Sequence, residues 1–203
     1  MSDRYKDMAK LPQVPFAKVM AGANAMLKTP IEAPASAAHE VVLAELDAKA
    51  AWPDIIWAFA ALLPGRERVW WACLAARDYI GPKTDKDPLP LLAAEDWVFK
   101  PSEENLLKVS SALDHAYVDD DTVHCAASAL YADGKLGPGD MAEYPAPAGG
   151  SEASALAMNM VALSKLSDKY ETYVQLLIDR AIDIARGGNG RVELAEPEKE
   201  ESA

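Results

Sequence analysis

The sequence predicts an all-α fold. Apolar residues recur at helical spacing through nearly the whole chain, no segment alternates apolar and polar between hairpin turns, and Pro, Gly, Ser and Asp stand where helices begin and end. With 203 residues, half of them apolar, the chain can enclose one sizeable core. The expected architecture is a compact multi-helix bundle of antiparallel helix hairpins with a long C-terminal helix. It divides into a loosely ordered N-terminal arm (1–30), a single all-α domain (31–188) and a disordered acidic tail (189–203). No fixed period of matched residues supports a helical-repeat array.

In chain order, one short helix is expected around 15–27, ending at Thr29-Pro30, and "SAAHEVVLAELDAKAA" (36–51) is the first firm one. Pro53 and Asp54 open "PDIIWAFAALL", which stops at Pro64. The next helix lies in "LPGRERVWWACLAARDYIGP" (63–82), where Gly81 suits a left-handed cap and Pro82 forbids continuation. The turn between these two is so short that they should form an antiparallel hairpin, and both are apolar nearly all round, which places them at the centre. Asp87-Pro88 starts a helix to about Phe99, Ser102 caps "EENLLKVSSALDHAYV", and Asp120 or Asp121 caps "TVHCAASALYADG", ended by Gly134. Residues 134–150 carry Gly and Pro too densely for a regular element and read as an ordered loop or hinge. Ser151 then caps a helix to about 186, along which Leu156, Leu163, Tyr170, Leu177 and Ile184 repeat every seven residues. Asn159 and Arg180 break the companion series that a coiled coil needs, so this is a long helix packed on the bundle.

Adjacent helical residues point about 100° apart, so Trp70 and Trp71 cannot share one pocket. On a helical wheel Val69, Cys73, Ala76 and Ile80 line one stripe. Trp71 fills a second groove between helices, and Trp70 falls at the boundary between Arg66 and Arg77, where Arg66 can lie over its ring as a cation–π partner.

A formal net charge of −12 excludes nucleic acid and anionic membrane surfaces as partners, because both need clustered Lys and Arg. It is compatible with a basic protein partner and also with acidity that serves solubility alone. Lys18 and Asn24 interrupt the only candidate for a leader's apolar run, and no stretch reaches the length of a membrane span, so a cytoplasmic location is expected. Cys73 and Cys125 sit in apolar helical stretches as buried free thiols rather than a redox pair.

Few residues carry chemistry. "DHAYVDDDTVHC" (114–125) gathers His115, Asp119, Asp120, Asp121, His124 and Cys125, but its histidines are nine apart across a loop, so no metal-ligand spacing is met and the aspartates read as caps. His39 reads as a partly exposed helical residue. No nucleophile elbow, cysteine-protease signature, P-loop or dinucleotide fingerprint is present; the glycines of "GPGD" and "GGNGR" do not join a strand to a helix. No catalytic residue, metal or cofactor is expected. The candidate protein-binding residues are Arg66, Trp70 and Arg77.

"AFAALLPGRERVWWACLAAR", "AAEDWVFKPSEENLLKV" and "CAASALYADGKLGPGDMAEYPAPAG" before a final helix resemble an uncharacterised bacterial family with the pattern A-L-P-x-R-E-x-V-W-W-A-C, a W-V-x-x-P segment and a small-residue turn with prolines. The likeness covers roughly residues 36–188 and departs at "ADGKLGPGD", where the family is richer in Ser and Gly. Such proteins accompany type VI secretion genes. The resemblance implies a non-enzymatic adaptor that binds an effector or spike component. The competing readings are an immunity protein neutralising a basic toxin, and a metal-dependent enzyme using residues 114–125.

Overall fold

The computed structural model describes residues 3–192. Within them helices run over Phe16–Gly22 (α1), His39–Ala48 (α2), Trp52–Leu62 (α3), Gly65–Ile80 (α4), Leu89–Phe99 (α5), Glu103–Asp114 (α6), Val123–Leu130 (α7), Gly150–Lys165 (α8) and Tyr170–Arg186 (α9). The all-α class follows, and among the described residues the one extended pairing is an isolated bridge between Lys135 and Pro145.

The centre is α4, which packs on α5, α7, α8 and α9. Its two apolar faces serve different halves of the interior. Val69, Ala72, Cys73 and Ala76 join residues of α5, α6, α7 and α8, while Trp71, Leu74 and Ala75 join α1, α2, α3 and α9. The wheel reading therefore holds: Trp71 is fully buried, and its indole N–H donates to the Leu177 carbonyl at 2.9 Å. Burial of a tryptophan demands such an acceptor for its one polar atom.

The predicted α3–α4 hairpin is not formed. Leu63 and Pro64 are extended, with ψ of 138° and 154°, and this joint turns α3 away onto α2, α8 and α9. Arg68 fills the resulting wedge. It is 6 % exposed, donates to the carbonyls of Ala60 and Leu63 at 2.6 and 2.9 Å, and pairs with Glu152 at 2.9 Å. Open carbonyls at the end of α3 thus gain a charged donor, which stabilises the joint.

Ser102 caps α6, its hydroxyl accepting from the Asn105 N–H. Two other caps differ from expectation. Asp120 accepts from the N–H and hydroxyl of Thr122 at 2.9 and 2.6 Å, shaping the turn before α7 rather than its first turn. Ser151 lies inside α8, buried, exchanging hydrogen bonds with Ser128 of α7. The expected 151–186 helix is two helices: Leu166 leaves helical geometry and Ser167–Lys169 form a 3-10 turn. A straight helix of that length would span about 54 Å. The break lets α9 fold back across α3 and α4.

Residues 3–30, expected as a loose arm, are packed. Tyr5, Leu11, Phe16 and Met20 are buried in the core, and Arg4 reaches Asp179 and Gln175 of α9, both at 2.8 Å. His39 is buried as well, with Nε2 at 2.6 Å from the Pro12 carbonyl. Residues 134–150 form an ordered loop around a 3-10 turn at Gly139–Glu143. Residues 193–203, most of the predicted acidic tail, lie outside the described residues.

Candidate functional site

A long concavity of about 1160 Å³ runs along the outer face of α4 between the end of α5 and the segment after α9. Arg66, Trp70 and Arg77 all line it. Its construction begins with the glycines of "GGNGR". Gly187 ends α9 in the left-handed region at φ 104°, and Gly190, at φ 72°, brings the chain down onto the α4–α9 seam. A Cβ at Gly190 would lie 2.8 Å from both Ile184 Cδ1 and Leu74 Cδ1, so only glycine fits this approach. The Gly190 N–H donates to Asp183 at 2.8 Å. These bonds hold Asn189 over α4, where its carbonyl accepts the Trp70 indole N–H at 2.7 Å. Residues 189–192, assigned from sequence to the disordered tail, are therefore docked.

Trp70 is half-buried and touches both halves of the core, as its boundary position on the wheel implies. The cation–π partner expected of it is occupied elsewhere. Arg66 donates from Nε to the Val98 carbonyl at 2.6 Å and from Nη2 to the Phe99 carbonyl at 3.5 Å. Open carbonyls at a helix C-terminus carry the negative end of the dipole and outcompete a ring face for a guanidinium. Phe99 itself is 86 % exposed at the rim.

Arg77 is engaged internally. It grips Glu95 through Nε and Nη2 at 2.6 and 2.8 Å and also contacts Asp87. The Glu95 bond, and then that to Asp87, hold its guanidinium more firmly protonated than usual. Arg77 thus braces the wall, joining α4 to α5 and to the 81–88 turn. Opposite it, Asp78 accepts from Arg180 at 2.5 and 2.9 Å and from the Tyr173 hydroxyl at 2.7 Å. Burial, with Asp78 adding to it, pushes the Tyr173 hydroxyl well above its ordinary pKa.

Sequence reasoning missed Lys10, Asn189 and Arg191, which come to the groove from the two ends of the chain. The glycine spacing of 187–190 was the only local signal. Between these ends and α4 the contacts are long-range, which no helical periodicity encodes.

A second hollow, about 580 Å³, lies beside residues 115–122. Among the described residues no group of three or more His, Cys, Asp or Glu stands close enough to hold a metal ion. In the 114–125 stretch His115 Nδ1 lies 2.7 Å from the Ser111 carbonyl, Asp121 pairs with Lys165 at 3.0 Å, and Asp120 serves the Thr122 turn. Cys73 and Cys125 are both buried free thiols. The hydrogen bond that the Cys73 thiol makes to Cys125, with burial, raises its pKa well above the ordinary thiol value. Among the described residues no helix is long and apolar enough to cross a membrane.

The family model described as a family of unknown function, DUF6931, matches residues 42–185. The chain belongs to that family. In DUF6931 terms, the match runs from α2 to the last turn of α9 and includes the whole tryptophan helix. Lys10 and the 187–191 segment lie outside it. No curated protein and no solved structure matches the chain.

Proposed function

We propose that this DUF6931 chain is a non-enzymatic adaptor of a bacterial type VI secretion system, acting in the cytoplasm and binding an effector or spike component through the α4 groove. The observation that carries the reading is the convergence of exposed Arg66, half-wet Trp70 and exposed Phe99 on one long concavity. Trp and Arg are the side chains most enriched where binding energy concentrates. The volume exceeds the roughly 300–1,000 Å³ of most small-molecule pockets and suits a polypeptide segment. The secretion assignment is supported only by the sequence resemblance over roughly residues 36–188, of which the tryptophan stretch is the most specific part.

The test is capture of secretion components from a lysate of the native host by the tagged chain, with Trp70→Ala and Arg66→Ala as probes. Co-purification of a spike or effector protein, lost in either variant while melting stays cooperative, is the expected result. Capture that is indifferent to both variants would move the site elsewhere, and recovery of no secretion component would sink the assignment.

A second reading has its own observation. At the tip between α6 and α7, Tyr117 and Val118 are exposed beside Asp119, Asp120 and Asp121, a surface suited to a basic toxin masked by an immunity protein. Tight capture of one basic toxin, sensitive to Tyr117→Ala and not to Trp70→Ala, would favour it.

A further inference from the structure

We infer that the α4 groove takes a partner segment in which a large apolar side chain is flanked by carboxylates. This rests on the adaptor reading of the same groove and adds the chemistry of what binds there.

The inference starts from which charges on the walls are already neutralised. Glu67 is met by Lys10 at 2.7 Å, Asp78 by Arg180 at 2.5 Å, Glu95 by Arg77 at 2.6 Å, and Asp96 by Lys83 at 3.4 Å. Every wall carboxylate therefore has its cation. The converse does not hold. Among the described residues neither Arg66 nor Arg191 forms an ion pair: Arg66 spends Nε and Nη2 on two helix-end carbonyls, and Arg191 is bonded only through its main-chain N–H, to Asn189. Both are exposed at the groove. Among the described residues a chain of net charge −12 thus keeps two guanidinium groups without a carboxylate partner on this concavity, with Trp70, Leu74 and Phe99 supplying apolar surface in the same groove.

A basic segment entering here would meet two like charges and no free carboxylate. An acidic one meets the planar fork of Arg191 and the remaining N–H donors of Arg66, both able to bind carboxylates, and the apolar surface gives an aromatic or aliphatic anchor a place to bury. The chain's own residues 193–203, with five Glu and one Lys, have the same character and follow directly on Arg191-Val192. They are the rival occupant.

The experiment is fluorescence anisotropy with three labelled peptides, Glu-Glu-Leu-Phe-Glu-Glu and its Gln and Lys analogues, titrated with the full chain and with a chain ending at Val192. The Glu peptide should bind the full chain at least tenfold more tightly than either analogue and weaken as salt rises. Charge-assisted hydrogen bonds set the scale of loss, so Arg66→Gln and Arg191→Gln should each weaken binding about tenfold while their melting curves stay near that of the parent. Equal binding of the Gln peptide, or unchanged binding by both arginine variants, overturns the inference. So does binding that emerges only after residues 193–203 are removed, since the occupant would then be the chain itself. If Trp70-dependent capture of a secretion component succeeds while the Glu peptide fails, the inference falls and the adaptor reading stands. Charge-dependent peptide binding without such capture leaves the groove chemistry standing and removes the adaptor role.

Discussion

Trp70 donates its indole N–H to the main-chain carbonyl of Asn189, 2.7 Å away and 119 positions along the chain. Its neighbour Trp71 makes the equivalent bond to Leu177 inside the bundle. The pair thus divides the labour: one indole fills the core and the other pins a surface segment beside the groove. Trp71→Ala should cost about 3–5 kcal/mol, from lost burial plus the cavity left behind. Trp70→Ala should cost only about 1–2 kcal/mol, because the side chain is partly wet and loses one hydrogen bond. Chemical denaturation of both variants checks the contrast, and equal large losses would make Trp70 a core residue with no spare role.

The 189–192 segment supplies a sharper test. A chain ending at Gly188 should melt several degrees below one ending at Val192, because only the shorter chain loses the Trp70 acceptor, the Gly190 contact with Leu74 and Ile184, and the Gly190 N–H bond to Asp183. One or two net hydrogen bonds plus modest apolar burial amount to about 1–3 kcal/mol. Identical melting of the two chains would mean that this segment is not docked. Tryptophan emission offers a second readout, since exposure of the Trp70 indole should shift it to longer wavelength in the shorter chain.

Asp78, Tyr173 and Arg180 form a hydrogen-bonded group between α4 and α9, with Asp78 accepting from both partners. Removing one member of such a pair leaves an uncompensated charge, so Asp78→Asn and Arg180→Gln should each destabilise by about 3 kcal/mol. Tyr173→Phe should cost only about 1 kcal/mol, as the carboxylate keeps its guanidinium. If Arg180→Gln melts like the parent, α9 is held by its apolar face alone.

The helices were legible because their causes are local. Ser102 stands at the start of α6, Gly81 just past α4 and Gly187 just past α9, and the apolar spacing of α4 separated Trp71 from Val69 and Cys73 as the two halves of the core require. What escaped sequence reasoning was long-range. The heptad series of the last helix continues across Leu166 without a gap, so periodicity could not reveal a break that depends on α9 packing against α3 and α4. The arm looked loose because Tyr5, Leu11 and Phe16 have no regular spacing, although each is buried. Arg66 and Arg77, named from the helical wheel as candidate binding residues, both line the groove, but only their partners, the α5 carbonyls and Glu95, distinguish one cation's surroundings from the other's.

Asp87 links the groove wall to pH. Its carboxylate accepts from the N–H and hydroxyl of Thr84, at 2.9 and 2.7 Å, and contacts Arg77. The Thr84 main-chain bond, followed by Arg77, holds its pKa at about 2 against an ordinary 3.8. A group whose folded pKa is depressed adds stability that is complete above its unfolded pKa and is lost as pH falls through its folded one. The gap in melting temperature between the parent and Asp87→Asn should therefore stay constant from about pH 7 down to about pH 5, then narrow from about pH 4 towards pH 2 as the parent takes up the proton. Arg77 also grips Glu95 bidentately, so Asp87→Asn should loosen the 81–88 turn without releasing α5, and peptide or partner capture at neutral pH should fall less than in Arg77→Gln. The sign is diagnostic. A gap that widens on acidification would mean that Asp87 is destabilising when ionised, and that Arg77 is held in the wall by Glu95 alone.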